Sequence, residues 1–242
     1  MRFRNSIFAL SVWIGSIFAS GNSLAELGDN SDSSLPVLEI ETLHKELRVG
    51  DIVFTHIDIL PFRKIAYGSG SWVNHVGIII DTAGNEALVA ESIFPFSKAT
   101  KFSQFIARSK DGRVRISRLH KPLTPKQQSK IISAANARFG RFYDTGFNLY
   151  SSRQFCSRYV REVVEEGTGI QLGKIETLSM LFSENKNASE DLNFWRVWYF
   201  GKIPWDRKTV TPASVMNSKE LLIIFDGYAE KVSTPRRKNL ES

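Results

Sequence analysis

A predicted β-hairpin in the first half of the sequence places the tightest limit on the fold. The apolar segment WVNHVGIII (residues 72–80) is followed by the turn residues DTAGN (81–85) and by the second apolar segment EALVAES (86–92). Runs rich in Val and Ile that flank a Gly/Asn/Asp cluster are typical of two antiparallel strands. His75 and Glu91 each lie inside one of these apolar strands, where an ionisable side chain costs free energy unless it is partnered.

The other predicted elements give strands first and helices afterwards. Residues 51–55 (DIVFT) and 112–119 (GRVRISRL) are predicted strands, and residues 123–140 are a predicted helix that Gly140 ends. Thr124 is the expected N-cap of this helix and Pro125 its first residue. This order predicts an α+β fold with a largely antiparallel sheet packed against helices.

A second helix is predicted over residues 151–167. Ser151 or Ser152 is the expected N-cap, and Gly167 is the expected end. Its apolar stripe consists of Phe155, Tyr159, Val160, Val163 and Val164.

The N-terminal residues predict export. Arg2 and Arg4 precede the apolar run 7–19, and Ser23 and Ala25 are small residues before a cleavage point after Ala25. The alternative is an uncleaved anchor, but the apolar run is shorter than the roughly 20 residues that span a bilayer. No cysteine follows the run, so a lipoprotein anchor is not expected there. We therefore expect a cleaved signal peptide (1–25) and a periplasmic location.

The rest of the chain is predicted to contain one domain. Residues 26–46 are assigned to a polar leader, residues 47–228 to a catalytic domain, and residues 229–242 to a disordered basic tail. The formal net charge of +7 falls to +5 without the two arginines of residues 1–25 (7 − 2). No stretch has the dense basic and aromatic pattern of nucleic-acid binding, so no nucleic-acid partner is expected. A positive surface suits an anionic partner such as wall polymer or lipid headgroups, with peripheral membrane or wall contact.

Cys156 is the only cysteine of the chain. A single cysteine in an exported protein indicates a reactive thiol or intermolecular pairing, whereas a buried thiol can also act as a small apolar side chain. Cys156 falls near the start of the second predicted helix, where free N–H groups and the helix dipole favour a thiolate. Its position therefore makes Cys156 a candidate nucleophile.

His75 is the candidate base for this thiol. His44, His56 and His120 lie at strand ends or in polar segments and are expected at the surface. With a three-residue loop centred on Ala83, Glu91 faces His75 across the hairpin, with Cβ atoms about 5 Å apart. Glu91 would then fix the histidine tautomer. With a four-residue loop, Ser92 faces His75 and Glu91 turns to the other side of the sheet.

Six short motifs in this order resemble the permuted papain-like amidases of the NlpC superfamily, specifically the YiiX/YaeF-like group. They are GDIVF (50–54), NHVGIII (74–80), ALVAES (87–92), GRFYDTGF (140–147), FCSRYV (155–160) and VTPASVMNS (210–218). The likeness covers about residues 47–225. The order histidine, polar residue, cysteine is the reverse of papain.

The resemblance implies a circularly permuted papain-like fold in which Cys156 is the nucleophile, His75 the base and Glu91 the orienting residue. It also suggests that Tyr143 assists the oxyanion hole, with core packing as the alternative. Two features depart from the family pattern. Arg158 stands where the family often has an acid, and the aromatic-rich residues 174–205 match no known motif. We expect this stretch to cover the sheet, and the alternative is that it shapes substrate specificity.

These features predict an exported cysteine amidase or peptidase that acts on amide bonds of cell-wall peptides through an acyl-enzyme. No cofactor and no metal are expected, because one cysteine and scattered histidines lack the spacing of a zinc site. One alternative is a lipid-directed acyl hydrolase or acyltransferase of the same fold. Another is a catalytically silent module that binds wall or lipid. The sequence leaves the oligomeric state open, as well as whether residues 57–71 cover the cleft.

Overall fold

A computed structural model describes residues 35–184 and 188–230 of the chain. The predicted signal peptide (1–25) and residues 231–242 of the predicted tail lie outside the described residues. The described residues, from Leu35 to Glu230, belong to one compact unit. Among the described helices, none combines the length and the apolar character that a bilayer crossing requires.

A seven-stranded sheet forms the centre of this unit, with strand order β1-β9-β6-β2-β3-β4-β5. All neighbouring pairs are antiparallel except β1 and β9, which are parallel. The strands are β1 (Val37–Glu39), β2 (Ile52–Ile57), β3 (His75–Asp81), β4 (Leu88–Ser92), β5 (Ser97–Lys101), β6 (Ser109–Leu119) and β9 (Leu221–Glu230). The remaining strands, β7 (Glu176–Thr177) and β8 (Lys208–Thr209), pair separately.

Helices pack on both faces of the sheet. The described helices are α1 (Ile40–Glu46), α2 (Leu60–Gly68), α3 (Phe102–Ile106), α4 (Pro125–Asn136), α5 (Cys156–Thr168), α6 (Leu178–Glu184), α7 (Ala188–Trp198) and α8 (Pro212–Met216). On one face, Ile52 and Phe54 of β2 share a core with α4, α5 and α8. Val53, which points to the opposite face, shares a second core with α1 and α3. This alternation is the period of two that a strand imposes.

The structure confirms the α+β class and a largely antiparallel sheet packed against helices, including the helix that begins at Cys156. Thr124 and Gln127 form a reciprocal capping box at the start of α4, which extends from Pro125 to Asn136 and so ends before Gly140. A hydroxyl cap and a first-turn Gln at this spacing satisfy two otherwise free backbone groups.

Several boundaries differ from the sequence prediction. Helix α5 begins at Cys156 rather than after Ser151 or Ser152, and it ends at Thr168, with Gly169 as its left-handed C-cap. Residues 37–46, predicted as part of a leader, form β1 and α1, and β1 pairs with β9. Strand β9 includes residues 229 and 230, which were assigned to the tail. Residues 57–71 contain helix α2 rather than only a loop.

Candidate active site

Cys156 is the first residue of helix α5. Its N-cap, Phe155, has extended backbone angles and no side-chain capping bond. Residues before the helix are held instead by Arg158, whose Nη1 donates to the carbonyl oxygens of Ser151 (2.6 Å) and Arg153 (2.9 Å). The N–H groups of the first helical turn have no acceptor within the helix. They are therefore available to a negative charge that develops beside the sulfur.

His75 begins strand β3 and contacts Glu91 of β4. Nε2 of His75 donates to Oε2 of Glu91 at 2.6 Å, and both side chains are buried. The other ring nitrogen, Nδ1, has no hydrogen-bond partner of good geometry among the described atoms. Since Cys156 interacts with the His75 side chain and Nε2 is occupied, Nδ1 is the nitrogen left to exchange a proton with the thiol.

The register of the hairpin differs from the predicted one. Ile78 pairs with Ala90 and Ile79 with Val89, so the numbers of facing residues sum to 168 rather than 166. When the same register is continued to the ends of the two strands, Glu91 lies opposite Gly77 and diagonal to His75. A shift of two keeps every side chain on its original face, and a long side chain can bridge the diagonal. The predicted contact is therefore present, although the two residues are not directly opposed.

Two further residues bind Glu91, and sequence reasoning missed both. Arg108 donates through Nη2 to Oε1 (2.7 Å) and Oε2 (2.8 Å) of Glu91, and the Thr100 hydroxyl donates to Oε1 (2.6 Å). Thr100 lies on the neighbouring strand β5, whereas Arg108 lies between α3 and β6. These bonds hold the carboxylate in one orientation toward the histidine. Arg108 and Thr100 thus position the Glu91 carboxylate.

Hydrogen bonding and charge set the ionisation of the pair. Burial by itself lowers the pKa of His75, but the interactions with Cys156 and Glu91 outweigh burial and raise this pKa from 6.5 to about 9. Burial opposes ionisation of Glu91, yet the interactions with His75, Arg108 and Thr100 lower its pKa from 4.5 to about 2. At neutral pH the site therefore favours a charged imidazolium beside an ionised carboxylate.

Aromatic rings enclose the His75 imidazole. Phe62 contacts it edge-on with ring centroids 5.9 Å apart, and the Phe105 ring lies at 5.3 Å with a 31° tilt. A Cβ at Gly77 would lie 2.4 Å from a Val89 methyl group and 3.0 Å from the Phe105 ring. Glycine at this position therefore leaves the space that Phe105 needs to pack beside the histidine.

Tyr143 is held next to Cys156 by backbone pairing just before helix α5. The N–H of Gln154 donates to the Phe142 carbonyl (2.9 Å), and the N–H of Asp144 donates to the Gln154 carbonyl (2.7 Å). The buried Tyr143 hydroxyl has no hydrogen-bond partner among the described atoms. Burial and the neighbouring Cys156 raise its pKa well above the usual value, so the phenol stays protonated and can donate. Asp144 accepts from the loop N–H groups of Gly146 and Asn148.

Tyr143→Phe is expected to slow acyl transfer without removing the reactivity of the thiol. Loss of one oxyanion donor costs about 10²- to 10³-fold in turnover, and phenylalanine keeps the ring packing. Hydrolysis of a p-nitrophenyl ester should fall accordingly, whereas the rate of Cys156 alkylation by iodoacetamide should stay within about twofold of the wild-type rate. Equal hydrolysis by wild type and variant would assign Tyr143 to core packing.

A largely apolar cleft opens at Cys156. The predicted aromatic stretch supplies one wall, because α6 and α7 form a small cluster around Leu178, Trp195 and Ile203 that packs against Ile65 and Phe147. Helix α2 packs against this wall and adds Lys64, Ile65 and Gly68 to the lining. The cleft is lined by Lys64, Ile65, Gly68, Ser69, Tyr143, Phe147, Phe155, Cys156, Ser157, Leu178, Leu181, Phe182, Trp195, Tyr199, Thr209, Val210, Thr211 and Pro212. Residues from the aromatic-rich stretch 174–205 thus shape the site. This was the alternative to the expected role, which was to cover the sheet.

The comparisons with known proteins agree with this geometry. A family model described as permuted papain-like amidase enzyme, YaeF/YiiX, C92 family, matches residues 46–225. The chain belongs to this family. The matched residues include His75, Glu91, Tyr143 and Cys156, and the strands and helix that carry them.

Two relatives from this family illustrate the likeness. The uncharacterized protein YiiX of Escherichia coli (strain K12) is 24% identical over 177 residues, covering 73% of this chain and 85% of that protein. A crystal structure described as metalloprotein yiiX from Escherichia coli O157:H7 has a TM-score of 0.68 and 23% identity, and the match covers 75% of this chain and 98% of that chain. This structural likeness supports the permuted papain-like fold.

Proposed function

We propose that this member of the permuted papain-like amidase family is a cysteine hydrolase that acts through a thioester acyl-enzyme. The observation that carries the proposal is the buried His75–Glu91 bond of 2.6 Å beside a cysteine that opens a helix. Arg108 and Thr100 orient the Glu91 carboxylate, and the carboxylate orients the His75 imidazole. The imidazole in turn activates the Cys156 thiol. Such a relay is what activates a cysteine nucleophile.

The reaction follows from these positions. His75 holds the thiol proton at Nδ1 as an imidazolium, and the Cys156 thiolate forms a bond to the substrate carbonyl carbon. The N–H groups at the start of α5 and the Tyr143 hydroxyl stabilise the oxyanion. When the intermediate collapses, the carbon–nitrogen bond breaks and His75 gives its proton to the leaving amine. Water then attacks the thioester while His75 takes one of its protons, and the free acid and the thiol are restored.

Amide bonds of cell-wall peptides are the first proposed substrate, as part of an exported, periplasmic function. This part rests on the amidase family and on the signal-like residues 1–25. Lipid acyl chains are the second candidate, and one observation favours them. Most side chains that line the cleft are aliphatic or aromatic, among them Phe182, Trp195 and Val210. Such walls stabilise an apolar acyl group more than a charged wall peptide.

A metal does not fit this proposal. The E. coli O157:H7 relative is described as a metalloprotein. In this chain, within residues 35–184 and 188–230, no three His, Cys, Asp or Glu side chains lie together in a way that could hold a metal ion. The steps above therefore involve protein groups alone.

Trapping the acyl-enzyme tests the proposal. Wild-type protein mixed with p-nitrophenyl hexanoate should gain the mass of one hexanoyl group on the peptide that contains Cys156. Cys156→Ala should gain none. Turnover of purified muropeptides and of long-chain N-acyl amides then separates the two substrate classes. If no acyl group attaches to Cys156 from any of these compounds, the chain is a binding module and the enzymatic proposal is wrong.

A further inference from the structure

Helix α7 ends in a hydrogen-bond pattern that normally contains glycine. The N–H of Gly201 donates to the Arg196 carbonyl (2.6 Å), and the N–H of Phe200 donates to the Val197 carbonyl (3.1 Å). These two bonds define a Schellman motif, in which the residue at the position of Phe200 takes left-handed backbone angles. Phe200 does so, with φ of +52°. A bulky side chain is a genuine outlier in this region of backbone space, where glycine is favoured.

No packing explains the phenylalanine. The Phe200 side chain is 99% exposed, and Val197, three residues earlier on the same face, is 79% exposed. Trp198 and Trp195, by contrast, belong to the aromatic cluster behind them. A strained conformation that presents a large apolar ring to solvent stabilises nothing within the folded chain. The ring must therefore gain its stabilisation outside the chain.

Charge indicates the kind of surface that Phe200 meets. From Arg196 to Lys208 the chain contains the cations Arg196, Lys202, Arg207 and Lys208 and the acid Asp206, whereas Glu190 and Asp191 lie in the first turn of α7, away from the end that carries Phe200. Arg196 and Lys202, which flank the exposed apolar pair, are themselves exposed. Apolar side chains surrounded by cations are the pattern of a helix that lies in the interface of an anionic bilayer.

The position of α7 connects this surface with the cleft. Trp195 and Tyr199 of the same helical segment line the cleft that opens at Cys156. We propose that the end of α7, through Phe200 and Val197 with Arg196 and Lys202, docks the protein on an anionic lipid surface beside the mouth of the cleft. This docking does not require the thiol to be catalytic.

Vesicle sedimentation tests the docking. The protein used is residues 26–242, which contain the whole compact unit and lack the apolar run that would bind lipid by itself. We expect binding to vesicles of phosphatidylglycerol and phosphatidylcholine, and weaker binding to phosphatidylcholine alone or at high salt. Phe200→Gly should lower the partition coefficient at least about tenfold, because it removes the inserted ring. Its thermal midpoint should stay equal or rise, because glycine suits the left-handed position.

Ile223→Thr is the matched control. Ile223 is an apolar side chain of β9 that is 58% exposed, and all proteins keep the basic residues 231–242. The control should bind vesicles like the wild type. The proposal is overturned if the wild type does not bind, if Phe200→Gly binds equally well, or if Ile223→Thr loses as much affinity. It is also overturned if Phe200→Gly only converts a dimer into a monomer, since Phe200 would then join two copies of the chain.

Discussion

His75→Ala is expected to make Cys156 lose its reactivity near neutral pH. In the wild type, the interactions with Cys156 and Glu91 outweigh burial and raise the pKa of His75 to about 9, so the imidazolium persists at pH 7 and favours the thiolate beside it. The alkylation rate with iodoacetamide should therefore be substantial well below pH 8.5, where a free thiol is mostly protonated. Without the imidazole, the rate at pH 6.5 should fall at least about tenfold, and the whole profile should move to higher pH.

Turnover should suffer more than alkylation in the same variant. His75 acts both as the base toward the thiol and as the acid toward the leaving amine, and such proton transfers contribute about 10²- to 10⁴-fold. His120→Ala is the matched control, because His120 is an exposed histidine at the end of β6 and should leave both rates unchanged. If Cys156 in the folded wild type is inert, or has the same profile with and without His75, the cysteine is a core residue and not a nucleophile.

Glu91→Ala is expected to cause a large loss of stability, about 3–5 kcal/mol in the free energy of unfolding. Removing one partner of a buried ion pair leaves the other charge without compensation. Here Arg108, Thr100 and His75 all lose the carboxylate that they bind. Urea denaturation at pH 7 measures the difference. Glu166→Ala is the control, because Glu166 is 56% exposed and its bond to Arg138 should contribute less than about 1 kcal/mol.

The pH dependence of this loss has a defined sign. The pKa of Glu91 is lower in the folded chain, at about 2, than its ordinary value of 4.5. The stabilisation that its ionised form provides is therefore fully present above about pH 4.5 and is lost as the pH falls toward 2. Wild type and Glu91→Ala should converge in stability over that range. A constant difference between pH 7 and pH 2.5 would show that packing, rather than the charge of Glu91, accounts for the loss.

The sequence alone was sufficient to predict that His75, Glu91 and Cys156 belong to one site. His75 and Glu91 each interrupt an apolar strand, and Cys156 precedes an apolar helical stripe, so each stands out against its local pattern. The register prediction was off by two residues, but the period of a strand kept Glu91 on the correct face. The error of two residues therefore left the predicted contact between His75 and Glu91 intact. An error of one residue would have put Glu91 on the opposite face of the sheet.

The parts that could not be predicted depend on contacts distant in sequence. Ser151 and Ser152 are good N-cap residues, yet the helix begins at Cys156 because Arg158 and the bonds around Gln154 hold residues 151–155 outside the helix. Arg108 has no local pattern that marks it, since an arginine before a strand is ordinary until the fold brings it to a buried carboxylate. The left-handed position of Phe200 likewise emerges only from the backbone.

The small pairing of β7 with β8 has a consequence for how such a protein can diversify. Thr177 pairs with Lys208, so the segment between them, residues 178–207, begins and ends at neighbouring points. This segment carries the aromatic wall of the cleft. The reactive residues lie on β3, β4 and α5 instead. Because the two ends of this segment are already close together, a different segment can be inserted between β7 and β8 with little added loop-closure entropy. We expect a graft between relatives at these two strands to replace the aromatic wall of the cleft and to leave His75, Glu91 and Cys156 in place.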